Sequence, residues 1–142
     1  MGKSEYIPYD LWKLMDNSNS LIVPNSVLNE DYITSLNITN NEDLKRIVIG
    51  DSCFGKVRMF DLDGLSELES VVIGQQSFRI SGDGSYRIVN CPKIASIQIG
   101  GNSFLDYRSF ELNNLPSLQS IDIGGQCFRN APSFSLTGLI DE

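Results

Sequence analysis

The chain has 142 residues, 41% of them hydrophobic and 20% charged, the balance of a single globular domain with a sizeable core and not of a disordered segment. Eleven basic residues against 18 acidic ones give a net charge of −7, so the surface repels phosphate backbones and anionic lipid, which argues against nucleic acid and membrane as partners. Histidine is absent, which removes Ser-His-Asp and Cys-His nucleophilic sites and the commonest metal ligand.

The opening "MGKSEYIPYD" lacks the apolar stretch of a signal peptide, and Tyr6 stands where a myristoylation signal requires Ser or Thr. In "PYDLWKLMDN" (Pro8 to Asn17), Leu11, Leu14 and Met15 recur at helical spacings beside Trp12, which predicts a short amphipathic helix that caps the first coil of a repeat region. "NSNSLIVPNSV" reads as a linker with one extended piece around Leu21 to Val23. Residues 1–32 are thus expected to form a cap and linker, and residues 33–142 a separate repeat region.

"ITSLNITNNED" (residues 33–43) is expected to be a degenerate partial unit whose strand runs from Ser35 to Ile38. Four full units follow at residues 44–67, 68–93, 94–117 and 118–141, of 24, 26, 24 and 24 residues. They open on "LKRIVIGDSCF", "LESVVIGQQSF", "IASIQIGGNSF" and "LQSIDIGGQCF". A period in this range is the signature of a solenoid.

Each unit holds two short alternations. Ile47, Val71, Ile97 and Ile121 form one inward column of the main strand, and Ile49, Ile73, Ile99 and Ile123 the other; β-branched residues suit a parallel ladder. Gly50, Gly74, Gly100 and Gly124 follow the strand directly, which predicts either a turn with φ > 0 or a close backbone approach. Phe54, Phe78, Phe104 and Phe128 are expected to turn inward as an aromatic spine. The later alternation, in "MFDLDGL", "YRIVNC", "FELNNL" and "FSLTGL", predicts a second strand with columns Phe60, Tyr86, Phe110, Phe134 and Leu62, Ile88, Leu112, Leu136. The two extra residues of the second unit fall at Gly82-Asp83-Gly84 and predict a lengthened turn. "LTGLIDE" at the end shows no capping pattern, so the last coil is expected to present an open edge that continues or meets another chain.

The LxxIxI strand half and the "LNNLPSLQSI" return (Leu112 to Ile121) resemble the leucine-rich repeat family, in the variant with IGxxSF endings. The likeness spans residues 33 to 139 and departs from the usual pattern at the Gly that replaces a post-strand Asn. It implies a mainly β, right-handed solenoid of four coils with parallel strands behind the N-terminal helix. It also implies a non-enzymatic scaffold that binds another protein on its main strand face.

The outward positions of that face are expected to be Asn37, Val48, Val72, Gln98 and Asp122, beside a column of Ser35, Arg46, Ser70, Ser96 and Ser120. The serines read first as a ladder of small hydroxyls that fit a crowded, curved sheet, and only second as a ligand floor. The sites expected to meet a partner are Asn37, Arg46, Val48, Val72, Gln98 and Asp122. The second reading is self-association through the C-terminal edge.

Cys53 and Cys127 lie three coils apart in a column with Ser77 and Ser103, roughly 14 Å at about 4.8 Å per coil, too far for a disulfide. With Cys91 they read as small buried hydrophobes, pointing to a reducing compartment. No metal or cofactor set is expected. Asp61 and Asp63 flank Leu62 about 7 Å apart, a spacing an inverting glycosidase could use, but on an outer surface without a cleft.

Overall fold

The computed structural model describes residues 11–80, 83–129, 131 and 133–137. Among these, ten short strands alternate between two sheets. The first sheet holds β1 (Ser20–Val23), β3 (Arg46–Ile49), β5 (Ser70–Ile73), β7 (Ser96–Ile99) and β9 (Ser120–Ile123). The second holds β2 (Ser35–Thr39), β4 (Met59–Asp63), β6 (Gly84–Val89), β8 (Tyr107–Asn113) and β10 (Ser133–Thr137). Every pairing is parallel and joins a strand to its equivalent one coil away. The architecture is a β-solenoid whose coils stack along one axis.

The register keeps equivalent side chains in rows. Leu21, Ile47, Val71, Ile97 and Ile121 align on the first sheet; Leu36, Phe60, Tyr86 and Phe110 align on the second. Period-two alternation sends these residues inward and their neighbours outward. The main-chain ladder continues round the corner after the first sheet: the N–H groups of Gly50, Gly74, Gly100 and Gly124 donate to Val23, Ile49, Ile73 and Ile99 one coil back.

Of the two roles open to those glycines, the structure selects close approach. A Cβ on Gly100 would lie 2.7 Å from Gln75 N and from the Gly74 carbonyl carbon, so only hydrogen lets adjacent corners stack. The left-handed conformation falls two and four residues later, at Ser52, Gln76, Asn102 and Gln126 and at Phe54, Phe78, Phe104 and Phe128, the phenylalanines having φ values of 51–56°. Such a backbone costs about 1–3 kcal/mol at a bulky residue. What offsets it is burial, about 1.5–3 kcal/mol for each phenyl side chain. Ring stacking adds to this: Phe78 and Phe104 are stacked at 4.5 Å between centroids, Phe60 and Tyr86 at 4.5 Å, and Tyr86 and Phe104 at 4.6 Å.

Inside the same corner a polar ladder replaces the apolar one. The Ser77 hydroxyl donates to the Gly50 carbonyl (2.9 Å) and accepts from the Cys53 N–H (3.0 Å); Ser103 does the same with Gly74 (2.7 Å) and the Ser77 N–H (3.1 Å). The thiols of Cys53 and Cys127 stand in for these hydroxyls, donating to Pro24 O (3.0 Å) and Gly100 O (3.2 Å). These two cysteines therefore act as hydrogen-bond donors across coils, a role beyond the small hydrophobe their column predicted, whereas Cys91, fully buried in the row of Leu65 and Leu115, donates only locally, to Val89 O at 3.3 Å.

The predicted N-terminal capping helix is corrected. The described part of that segment is one 3-10 turn, Leu11–Leu14. The Asp16 carboxylate accepts from the hydroxyl and N–H of Ser18 and the N–H of Ser20, and Met15 bridges antiparallel to Leu21, so the chain reverses where a helix would continue. Leu11 still covers the first coil, fully buried, with Leu14 and Met15 packed on the core. The expected linker holds β1, which pairs with β3. Residues 33–43 are the second half of that same coil. Residues 81–82 and 138–142, where the lengthened turn and the open end were expected, lie outside the described residues.

Candidate functional site

The outward row of the first sheet is Ile22, Val48, Val72, Gln98 and Asp122, held in register by four parallel pairings. Asn37 is not in it. It lies on β2, opposite Asp61, in the outward row of the second sheet, so the expected set of six splits between two faces. Ile22 takes the place assigned to Asn37, 45% exposed. The row grades from aliphatic at Ile22, Val48 and Val72 to polar at Gln98 and Asp122. At about 4.8 Å per strand it is roughly 19 Å long.

The flanking row is Ser20, Arg46, Ser70, Ser96 and Ser120. Arg46 is held within the protein: its Nε donates to the Ser20 hydroxyl at 3.0 Å, and Nη1 lies 3.8 Å from Glu69. Ser18 O–H donation, joined by the Ser20 and Ser18 N–H groups, keeps the nearby Asp16 carboxyl below the usual aspartate range. Arg46 thus shapes one end of the face and is only partly available to a partner. The register signal for Ile22 was present in the sequence: it precedes Val48 by the 26-residue interval that also separates Val72 from Gln98.

On the second sheet the outward centre is an ion-paired cluster. Arg87 donates to Asp61 through Nη1 and to Glu111 through Nε, both at 3.0 Å, joining three adjacent strands. Desolvation raises the Asp61 carboxyl above the usual aspartate value even though Arg87 pulls it down. The bond to Glu111, more than any other contact, strengthens the charge on Arg87. Asp63 instead accepts from Asn90 Nδ2 at 3.0 Å. The two aspartates expected as a pair are thus each tied to a neighbouring coil.

The thiols are poorly suited to nucleophilic work. Burial raises all three, Cys91 to about 11, and the thiolate is the reactive form. Among the described residues no group of three or more His, Cys, Asp or Glu side chains could hold a metal ion.

Comparisons with protein-family models, with curated proteins and with solved structures return no match to this chain.

Proposed function

We propose that the chain is a non-enzymatic binding scaffold that takes a partner protein on the outward face of its first sheet. The contact row is Ile22, Val48, Val72, Gln98 and Asp122, with Arg46 at its flank. The observation that carries this reading is the outward aliphatic half of the row, Ile22 exposed and Val48 and Val72 half-buried, set in register on a parallel ladder. The residue frame that resembles leucine-rich repeats, and with it a right-handed coil, supports the same reading. A face about 19 Å long and two residue rows wide covers far less area than the roughly 800 Å² per partner of a standard interface, so it suits an extended segment or a transient complex.

The test pairs Val72→Arg with Gln98→Arg and follows retention of a partner captured by the unaltered chain. At least about a tenfold loss is expected, because charge at the centre of a contact removes its anchors. Arg87→Gln on the other sheet leaves retention unchanged. Equal retention by all three proteins overturns the assignment.

A second reading has its own observation. Ile121 sits in an inward row whose other members are 0–1% exposed, yet it is 39% exposed. An apolar coil surface of this kind matches the coils of another copy, and self-association through it is the alternative. Light scattering that shows mass rising with concentration, abolished by Ile121→Lys, favours that alternative.

A further inference from the structure

A groove of about 480 Å³ opens on the outer side of the second sheet, along the N-terminal ends of its strands. Its floor carries Ser35, Met59, Ser85 and Ser109, one register row of β2, β4, β6 and β8. Arg58 and Arg108 stand at its edge.

The groove lies beside a local irregularity. Gly84 pairs with Tyr107 but the next residue, Ser85, pairs with Ser109, so Arg108 is an extra residue in β8. A bulge of this kind re-aims a side chain. Tyr107 turns into the core while Arg108 and Ser109, adjacent in sequence, both line the groove. Gly84 is required at that point, since a Cβ there would lie 2.5 Å from the Tyr107 ring. At the start of β4, Arg58 and Met59 likewise both line the groove, Met59 being 47% exposed.

Its chemistry is unlike the rest of the surface. In a chain of net charge −7, two guanidiniums and a single carboxylate, Asp83, line one concavity. Arg58 forms no ion pair among the described residues. Arg108 lies 3.4 Å from Asp83, but both side chains are mostly exposed, so solvent screens that pair and it yields readily to a better acceptor. β4 and β8 are separated only by β6, about 10 Å at the backbone, within the combined reach of two arginine side chains. The hydroxyls of Ser35, Ser85 and Ser109 make no side-chain hydrogen bond among the described residues, leaving donors and acceptors toward the opening.

We propose that this groove binds a compact oxyanion carried on a small hydroxylated molecule, such as an acidic sugar or a sugar phosphate. The two arginines take the anion, as guanidinium forks do with carboxylate or phosphate. The serines meet the ligand hydroxyls, and Met59 packs against its apolar side. The volume accommodates a ligand of that size. An extended polyanion is disfavoured, because the acidic surface beyond the groove repels it.

The test is an amide chemical-shift titration of the full chain with glucuronate, glucose 6-phosphate, glucose and sodium sulfate at matched ionic strength. The expected result is saturable shifts at Ser35, Ser85 and Ser109 with one or both charged sugars, at millimolar affinity or better. Glucose binds at least about tenfold more weakly, and Arg58→Gln and Arg108→Gln each cost about tenfold. Asp83→Asn tightens binding by freeing Arg108. Response to glucuronate alone assigns a carboxylate ligand, and response to glucose 6-phosphate alone a phosphate. Sulfate binding as well as the sugars, glucose binding equally, no response up to about 50 mM, or indifference to both arginine changes each overturns the proposal.

Discussion

The Tyr107 hydroxyl donates to the main-chain carbonyl of Val57, fifty residues earlier, across the coil that lies between them. Its ring meets Phe104 edge-on at 4.9 Å and fills the space that Gly84 leaves open. One side chain thus ties two coils and sets the bulge that shapes the groove. Tyr107→Phe leaves a buried carbonyl without its donor and is expected to cost about 1–3 kcal/mol in denaturant unfolding. Gly84→Ala, which forces the ring to move, is expected to cost more than Tyr107→Phe and to broaden the Ser85 and Ser109 resonances. Equal stability of both variants and the parent would contradict this account.

The corner ladder makes a prediction that separates shape from hydrogen bonding. Ser77→Ala strips a partner from both the Cys53 N–H and the Gly50 carbonyl, and should lose about 1–3 kcal/mol. Ser77→Cys should lose less than half of that, because thiols already hold this position at Cys53 and Cys127. Urea midpoints of the two variants provide the comparison.

Glycines that look alike in sequence should differ sharply. Gly100→Ala drives a methyl to 2.7 Å from the main chain of the preceding coil, a steric conflict expected to cost about 3 kcal/mol or more. At the neighbouring pair, Gly125→Ala meets nothing within 4 Å and should change stability by less than about 0.5 kcal/mol. Thermal melting of the two variants checks this directly.

Asp61 gives a pH dependence of definite sign. Burial places its folded pKa above its unfolded one, so the folded chain holds that proton more tightly. Its contribution to stability is therefore least favourable at neutral pH and improves as pH falls through the folded value. Asp61→Asn should flatten the stability profile over that acid range, and carboxyl-carbon NMR should show Asp61 titrating above the usual aspartate value. A value at or below it would contradict the assignment.

Much of this fold was legible because one physical requirement repeats. A β-branched residue at each inward place of the first-sheet strand, a Gly that permits stacking and a Phe that fills the corner recur in the four coils from Ile47 onward, and so they mark them. The first coil was harder to place. Ser35-Leu36-Asn37-Ile38 carries the Ser-x-x-Ile spelling of the first-sheet strands, yet it aligns with Met59–Leu62 of the second sheet. Two departures hid this. Asn41 occupies the inward place of Leu65, and its side chain accepts from the N–H groups of Asp43 and Leu44, satisfying that turn without an apolar residue. Pro24 also stands at the place of Gly50, so the glycine that marks the later corners is missing from the first. The capping helix failed for a local reason, since Asp16 binds Ser18 and Ser20 and draws the chain back on itself. The groove was invisible in sequence because it depends on a bulge, which alters register without altering composition.

Interstrand backbone NOEs test the central claim most directly. Stacked coils predict contacts linking Ile22 to Val48, Val48 to Val72, Val72 to Gln98 and Gln98 to Asp122, with Asn37 touching Asp61. Sequential amide contacts of a helix through Ser70–Ile73, or no contact between Val72 and Gln98, would contradict the solenoid and remove both proposed faces with it, while contacts between Asn37 and Val48 would contradict the placing of the first coil.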